Sequence, residues 1–221
     1  VTFLAVDCIA GSLCTQQALT TDLSQKNIAP GAEHIFGTDW LGRDMLMRTL
    51  KGISLSILIG ILAAAVSTVI ALVLGVASAT LGKTVDSVIT FVIDLVMGIP
   101  HMLLLILISV AMGKGLTGVI VGVALSHWPS LARLIRAEVI QLKESPYIQI
   151  SERLGKSKWY IVKKHMLPHL LPQFIVGLIL LFPHAILHES SITFLGFGLS
   201  TEQPAIGIVL SESMQYLAMG R

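Results

Sequence analysis

Charge is what this chain lacks most. Only 13% of its 221 residues are Asp, Glu, Lys or Arg, about half of the roughly 25% that a soluble domain carries. Hydrophobic residues make up 54%, and the mean hydropathy is +0.82. The deficit excludes a protein surrounded by water on all sides, so lipid is the solvent for much of the chain. The net charge of +2 is small, and it offers no basis for nucleic-acid binding, which needs a clustered basic face. Cysteine is scarce too. Cys8 and Cys14 form neither a disulfide framework nor a CxxC pair and read as ordinary small apolar residues. A complete P-loop is also missing. Gly155-Lys156-Ser157 and Gly82-Lys83-Thr84 supply its last three residues, but the leading glycine is replaced by Ile150 in one and Ala77 in the other. Energy for any active process therefore comes from another chain or from an ion gradient.

What is present is long apolar runs. A helix needs about 20 apolar residues to cross a bilayer. No charged residue lies between Lys51 and Lys83, which predicts a span over 53–81. Spans are also expected over 87–112, interrupted by Asp94 and Pro100-His101, over 116–131, ending in His127-Trp128-Pro129, and over 170–199. The last reads either as one tilted span or as a span plus a surface helix. Val1 to Leu13, apolar except for Asp7, is too short to cross and lacks the basic start of a signal peptide. It reads as the tail of a further transmembrane helix, and both termini are expected to be truncated. Backbone groups in lipid need internal partners, so helices or a closed barrel are the choices. Uninterrupted apolar runs exclude the alternation of a barrel. The fold class is thus an all-α integral membrane protein, a polytopic helical bundle with about five spans present of six. It forms one domain over residues 1–221, with no internal repeat. Frequent glycines in the spans (Gly60, Gly75, Gly118, Gly122, Gly177) suit closely packed helices.

Residues 81–86 and 132–169 hold Lys83, Arg133, Arg136, Lys143, Arg153, Lys156, Lys158, Lys163 and Lys164, nine of the fifteen basic residues. This excess places those loops in the cytoplasm. Residues 133–168 carry the richest pattern. Ser145-Pro146 reads as a helix start. Tyr147, Ile150 and Leu154 recur at steps of three and four, and Gly155 stands where a helix end favours glycine. Ser157 caps a second segment in which Trp159, Val162 and Met166 repeat the spacing, and Pro168 is expected to end it. Two short amphipathic helices follow, each with an apolar ridge suited to a partner groove or to an anionic membrane surface.

This loop resembles the EAA coupling loop of bacterial ATP-binding-cassette (ABC) importer permeases: Glu-Ala-Ala, three residues, Gly, then Leu-Pro thirteen residues on. Gly155 and His165-Met166-Leu167-Pro168 fit, whereas the first triplet departs as Gln149-Ile150-Ser151. Phe36 to Asp44 (FGTDWLGRD) resembles the GTDxLGRD segment of C-type permeases of the dipeptide/oligopeptide/nickel family, where Thr38 or Asp39 alternatively reads as a helix cap. Phe194 to Gly198 (FLGFG) is similar to that family's FLGLG. Taken in order over nearly the whole chain, the three resemblances imply a multi-pass permease subunit in the inner membrane of a prokaryote. The implied partners are a homologous second permease, two ATPase subunits and an external substrate-binding protein. No cofactor is implied on this chain; ATP belongs to the partners, and the chain is not an enzyme.

Ionisable groups inside spans are functional candidates. Asp94 either lines the pathway or pairs with a basic group near the cytoplasmic edge. His184 and His188, four apart on one face, suit transient ligation of one metal ion, and His127 is a possible third donor on the pathway. The alternative is that these histidines bond to neighbouring helices. The segments ALSHW (Ala124 to Trp128) and HAILH (His184 to His188) resemble nickel permeases more than peptide permeases, and nickel accepts nitrogen donors. The expected cargo is nickel or a nickel chelate, with di- or oligopeptides as the alternative. Rival readings are a gradient-driven secondary transporter using Asp94, a membrane enzyme using the histidine pair, and a membrane scaffold.

Overall fold

The computed structural model describes residues 18–218. Helix α1 (Met45–Thr80) is the longest uninterrupted α-helix, with 36 residues, or about 54 Å at 1.5 Å per residue. Asp44 caps it by accepting the Met47 N–H at 3.0 Å. Thr38 and Asp39, the expected caps, serve the preceding loop instead. Thr38 accepts the Ile28 N–H at 2.8 Å and bonds the Gln25 carbonyl, while Asp39 accepts the N–H groups of Leu41 and Arg43 at 2.9 Å.

The expected single span over 87–112 is broken. Helices α2 (Lys83–Gly98) and α3 (His101–Ala111) meet at 98°. Pro100 brings no N–H to continue the ladder, and Ile99 before it is extended, with ψ 134°. Helix α4 (Gly115–Lys143) runs well past Leu131, so residues 133–143, expected in a loop, form its end. The basic groups there have partners: Arg133 bonds Asp94, Arg136 bonds Asp86, and Lys143 donates to the Ala79 carbonyl at 3.1 Å.

Helix α5 (Pro146–Arg153) starts at proline as expected, and Gly155 turns the chain with φ +76°. Ser157 caps the following helix by accepting the Tyr160 N–H. That helix does not stop at Pro168 but continues as α6, Lys158–Phe194. A π turn at Val162–Met166 makes this possible: the Leu167 N–H reaches back five residues to the Val162 carbonyl, so the register shifts just before the proline that could not donate. Helix α7 (Ile206–Ala218) follows a turn.

Among the described residues three helices are long and apolar enough to cross a membrane, and the bent pair α2–α3 would make a fourth. The expected fifth segment, residues 1–13, lies outside the described residues. All five glycines singled out from the sequence sit at helix contacts. A Cβ on Gly75 would stand 2.8 Å from the Ala132 carbonyl oxygen, and one on Gly118 2.7 Å from that of Ser109. The α1–α4 and α3–α4 crossings therefore require hydrogen at these positions. One core joins Val76, Trp128, Ile135, Ile148, Ile161 and Met166. A second joins Ile59, Leu105, Val123, Ala185, Ile192 and Ile208. Leu58, Val69, Val73, Ile179 and Leu180 point outward, a surface that suits lipid or another membrane helix rather than water.

Candidate functional site

Pro100 does more than break a span. It sets His101 at the first turn of α3, where the break opens a cavity of about 540 Å³ between α2–α3, α4 and α6. Ile99, His101, His127, Pro129, His184 and His188 are among its walls. Three of these histidines, each from a different helix, converge. Ring centroids lie 4.5 Å apart for His101–His127, 4.5 Å for His101–His188 and 4.9 Å for His127–His188. Their candidate ligand nitrogens all fall within 4.8 Å of one another.

His127 is 8% exposed. Its Nδ1 lies 2.8 Å from the Val123 carbonyl oxygen, a contact that fixes the proton on Nδ1 and leaves the lone pair on Nε2. The Nε2 atoms of His127 and His101 are buried and have no hydrogen-bond partner among the described residues. The expected pair, His184 and His188, is therefore only partly brought together: His188 joins His101 and His127, whereas His184 contributes to the cavity wall but not to the trio. His101 was read from the sequence only as part of a span interruption. A histidine directly after a helix-breaking proline inside an apolar run was the signal for it.

Asp94 lies outside this cavity. It pairs with Arg133 at 2.6 Å, and both side chains are more than half exposed. Glu189 is fully buried, accepts from Thr193 at 3.0 Å and Ser190 at 3.3 Å, and also bonds Ser56 of α1, so its place is a closed polar contact that joins α6 to α1.

The second candidate site is the turn around Gly155. Tyr147, Ile150 and Leu154 are exposed along α5, and Trp159 is 71% exposed just beyond the turn. They form an apolar ridge that no described residue covers. Val162 and Met166, expected on the same ridge, are buried against the core instead, and Leu167 is half-buried. Pro168 remains at the surface. Ile148 and Ile161, which sequence spacing did not single out, are the inner anchors of the two segments.

At the other end of the bundle the FGTDWLGRD segment builds a buried ion network. Arg43 reaches Asp39 at 2.6 Å, and Arg48 reaches Glu212 of α7 at 2.7 Å. Tyr216 accepts the Trp40 N–H at 2.7 Å. The resemblance that flagged this segment gave no hint of Glu212, which lies 164 residues from Arg48 in the chain.

Residues 71–220 match the family of the binding-protein-dependent transport system inner membrane component. The chain belongs to this family. It is a multi-pass inner membrane component of a transport system and not an enzyme. The dipeptide transport system permease protein of Bacillus subtilis (strain 168) is 32% identical over 219 residues, 99% of this chain and 68% of that protein. The oligopeptide transport system permease protein of the same strain is 32% identical over 90% of this chain and 65% of its own length. A putative peptide transport system permease of Brucella suis biovar 1 (strain 1330) is 35% identical over 85% and 63%. The chain thus spans about two thirds of the length of these relatives. Among solved structures, a chain of the MetNI methionine ABC transporter in an inward-facing conformation matches with a TM-score of 0.62, covering 79% of this chain and 92% of that one. At 17% identity this likeness speaks for the fold of the inner membrane component alone.

Proposed function

We propose that this chain is the permease subunit of an ATP-driven importer whose cargo is short peptides. The observation that carries the reading is the 32% identity to a dipeptide permease across 99% of the chain. It outweighs the expectation of nickel drawn from the ALSHW and HAILH segments. A homologous second permease would complete the pathway, an external binding protein would deliver cargo, and two ATPase subunits would supply energy.

The exposed ridge from Tyr147 to Trp159 is the element suited to receive that energy. It is apolar, it stands at a turn held by a left-handed glycine, and its inner face is anchored by Ile148 and Ile161. Seated in a groove of an ATPase, such a rigid knob transmits movement to α4 and α6, the helices on either side of it. Those two helices also carry His127 and His188 in the cavity wall. Closing of the ATPases would therefore re-shape the cavity that cargo crosses.

A second reading keeps nickel or a nickel chelate as cargo, and the specific observation favouring it is the three-histidine cluster. Uptake into vesicles bearing the complete complex and its binding protein separates the two. ATP-dependent dipeptide uptake supports the first reading, and metal uptake with no peptide uptake supports the second. Uptake that needs an ion gradient but no ATP contradicts both.

A further inference from the structure

We infer that His101, His127 and His188 together ligate one divalent late first-row metal ion as it crosses the cavity. The inference rests on the second reading above, in which a metal ion is cargo and this cavity is part of its route, and it assigns the ligand set and the ion class.

Three observations converge. The donors come from three separate helices, α3, α4 and α6, and their nitrogens lie within 4.8 Å of one another. Histidines that merely hydrogen-bond neighbouring helices would point their ring nitrogens at backbone or side-chain partners. Here two Nε2 atoms are buried without any. His127 also has the arrangement that prepares an imidazole for a metal: Nδ1 is held by the Val123 carbonyl at 2.8 Å and Nε2 faces inward. Imidazole donors with no thiolate among them suit nickel, copper, cobalt or zinc over calcium or magnesium.

The geometry also sets the strength of binding. A tetrahedral ion with metal–nitrogen distances of about 2.1 Å holds its donors roughly 3.4 Å apart. The rings would have to draw together by about an ångström, so the site holds its ion loosely and releases it when the helices shift. The cavity of about 540 Å³ is far larger than one ion, which leaves room for the ion to keep water or other exchangeable ligands. His184, on the wall beside the trio, is not one of the three donors.

The test uses the complete, untagged complex in nanodiscs, titrated with Cu²⁺ and separately with Ni²⁺ in the absence of peptide. Electron paramagnetic resonance of bound Cu²⁺ is expected to show nitrogen hyperfine structure from three imidazoles. Equilibrium dialysis of Ni²⁺ is expected to show one equivalent per complex that is lost in a His101→Ala/His127→Ala/His188→Ala variant and kept in the surface control His169→Ala. Each single substitution in the trio is expected to weaken Ni²⁺ binding at least tenfold. ATP-dependent uptake of Ni²⁺ should fall in the triple variant. Should that variant fail to assemble, the wild-type spectrum decides: fewer than three coordinated imidazoles overturns the proposal. So does an unchanged Ni²⁺ stoichiometry, or unchanged Ni²⁺ uptake, in an assembled triple variant. Peptide uptake measured on the same samples keeps the two readings apart. Peptide uptake without metal binding sinks the metal site and leaves the importer standing, whereas metal binding without any ATP-dependent uptake does the reverse.

Discussion

Arg136 holds Asp86 through two parallel hydrogen bonds, Nε to Oδ1 at 2.5 Å and an Nη to Oδ2 at 2.6 Å. This fork-to-fork pair ties the start of α2 to α4, close to the end of the bundle that carries the Gly155 turn. Ser78 of α1 adds a third bond to the same carboxylate, so three helices meet on one side chain. Both partners are about a third exposed, which puts the pair between a screened surface contact and a buried one. A double-mutant cycle with Asp86→Asn and Arg136→Gln is expected to give a coupling energy of about 1 kcal/mol. A coupling near zero in thermal unfolding of the detergent-solubilised complex contradicts the clamp.

The ridge and its anchors should respond oppositely to truncation. Leu154 is 73% exposed and Ile148 fully buried. Leu154→Ala is expected to leave stability within about 0.5 kcal/mol, and Ile148→Ala to cost about 2–5 kcal/mol. If the ridge docks on an ATPase, a cysteine at Leu154 or Trp159 should form a cross-link to that subunit. Thermal unfolding and cross-linking yield read out the two effects independently, and equal destabilisation by both substitutions contradicts the assignment of faces.

Gly75 tests the helix crossing. Its missing Cβ leaves room for the Ala132 carbonyl oxygen and the Ile135 side chain, each of which would lie within 3 Å of an added carbon. Gly75→Val is expected to destabilise by at least about 1–3 kcal/mol, the cost of overpacking, and to lower the yield of assembled complex. An unchanged melting temperature would mean that α1 and α4 do not cross there.

Asp44 gives a pH-dependent prediction outside the membrane. Partial burial pushes its carboxyl up, but the hydrogen bond with His34 and those from the backbone of Met47 and Leu46 outweigh this and hold it below its usual value. A depressed carboxylate contributes stability above its unfolded pKa, about 3.9, and loses it as pH falls through the lower folded value. Asp44→Ala is expected to cost about 1 kcal/mol at neutral pH, as loss of a helix cap does, and nothing once the wild-type carboxyl is protonated. A stability difference between variant and wild type that is the same at pH 7 and at pH 3 contradicts the cap.

The helices were legible because lipid imposes a single rule on the backbone and apolar runs record it. The run without charge from Gly52 to Gly82 became α1, and Gly60 and Gly75 marked its contacts. The start of α5 at Pro146 and the glycine turn at Gly155 were legible for a similar reason, since both are local backbone chemistry. What escaped was longer in range. That Pro168 sits inside a continuous helix depends on the π turn at Val162–Met166 just before it, which no propensity signals. That Val162 and Met166 face inward is a matter of packing against distant core residues. The pairing of Asp39, Arg43, Arg48 and Glu212, and the meeting of His101 with His127 and His188, are contacts between distant segments. One sequence records their members but not their partners.

The central claim is that this chain is driven by ATP through the turn at Gly155, and it is tested most directly by ATP-dependent dipeptide uptake in vesicles bearing the complete complex, wild type against Gly155→Glu. Gly155 has φ +76° and no neighbouring atom within 4 Å of an added Cβ. A glutamate there is strained in the backbone but meets no steric obstacle, and it places a charge at the tip of the apolar ridge. The account predicts robust uptake by wild type, and in the variant loss of uptake with the two permeases still assembled. Wild-type uptake that the variant matches, or no ATP-dependent uptake by either, would contradict it.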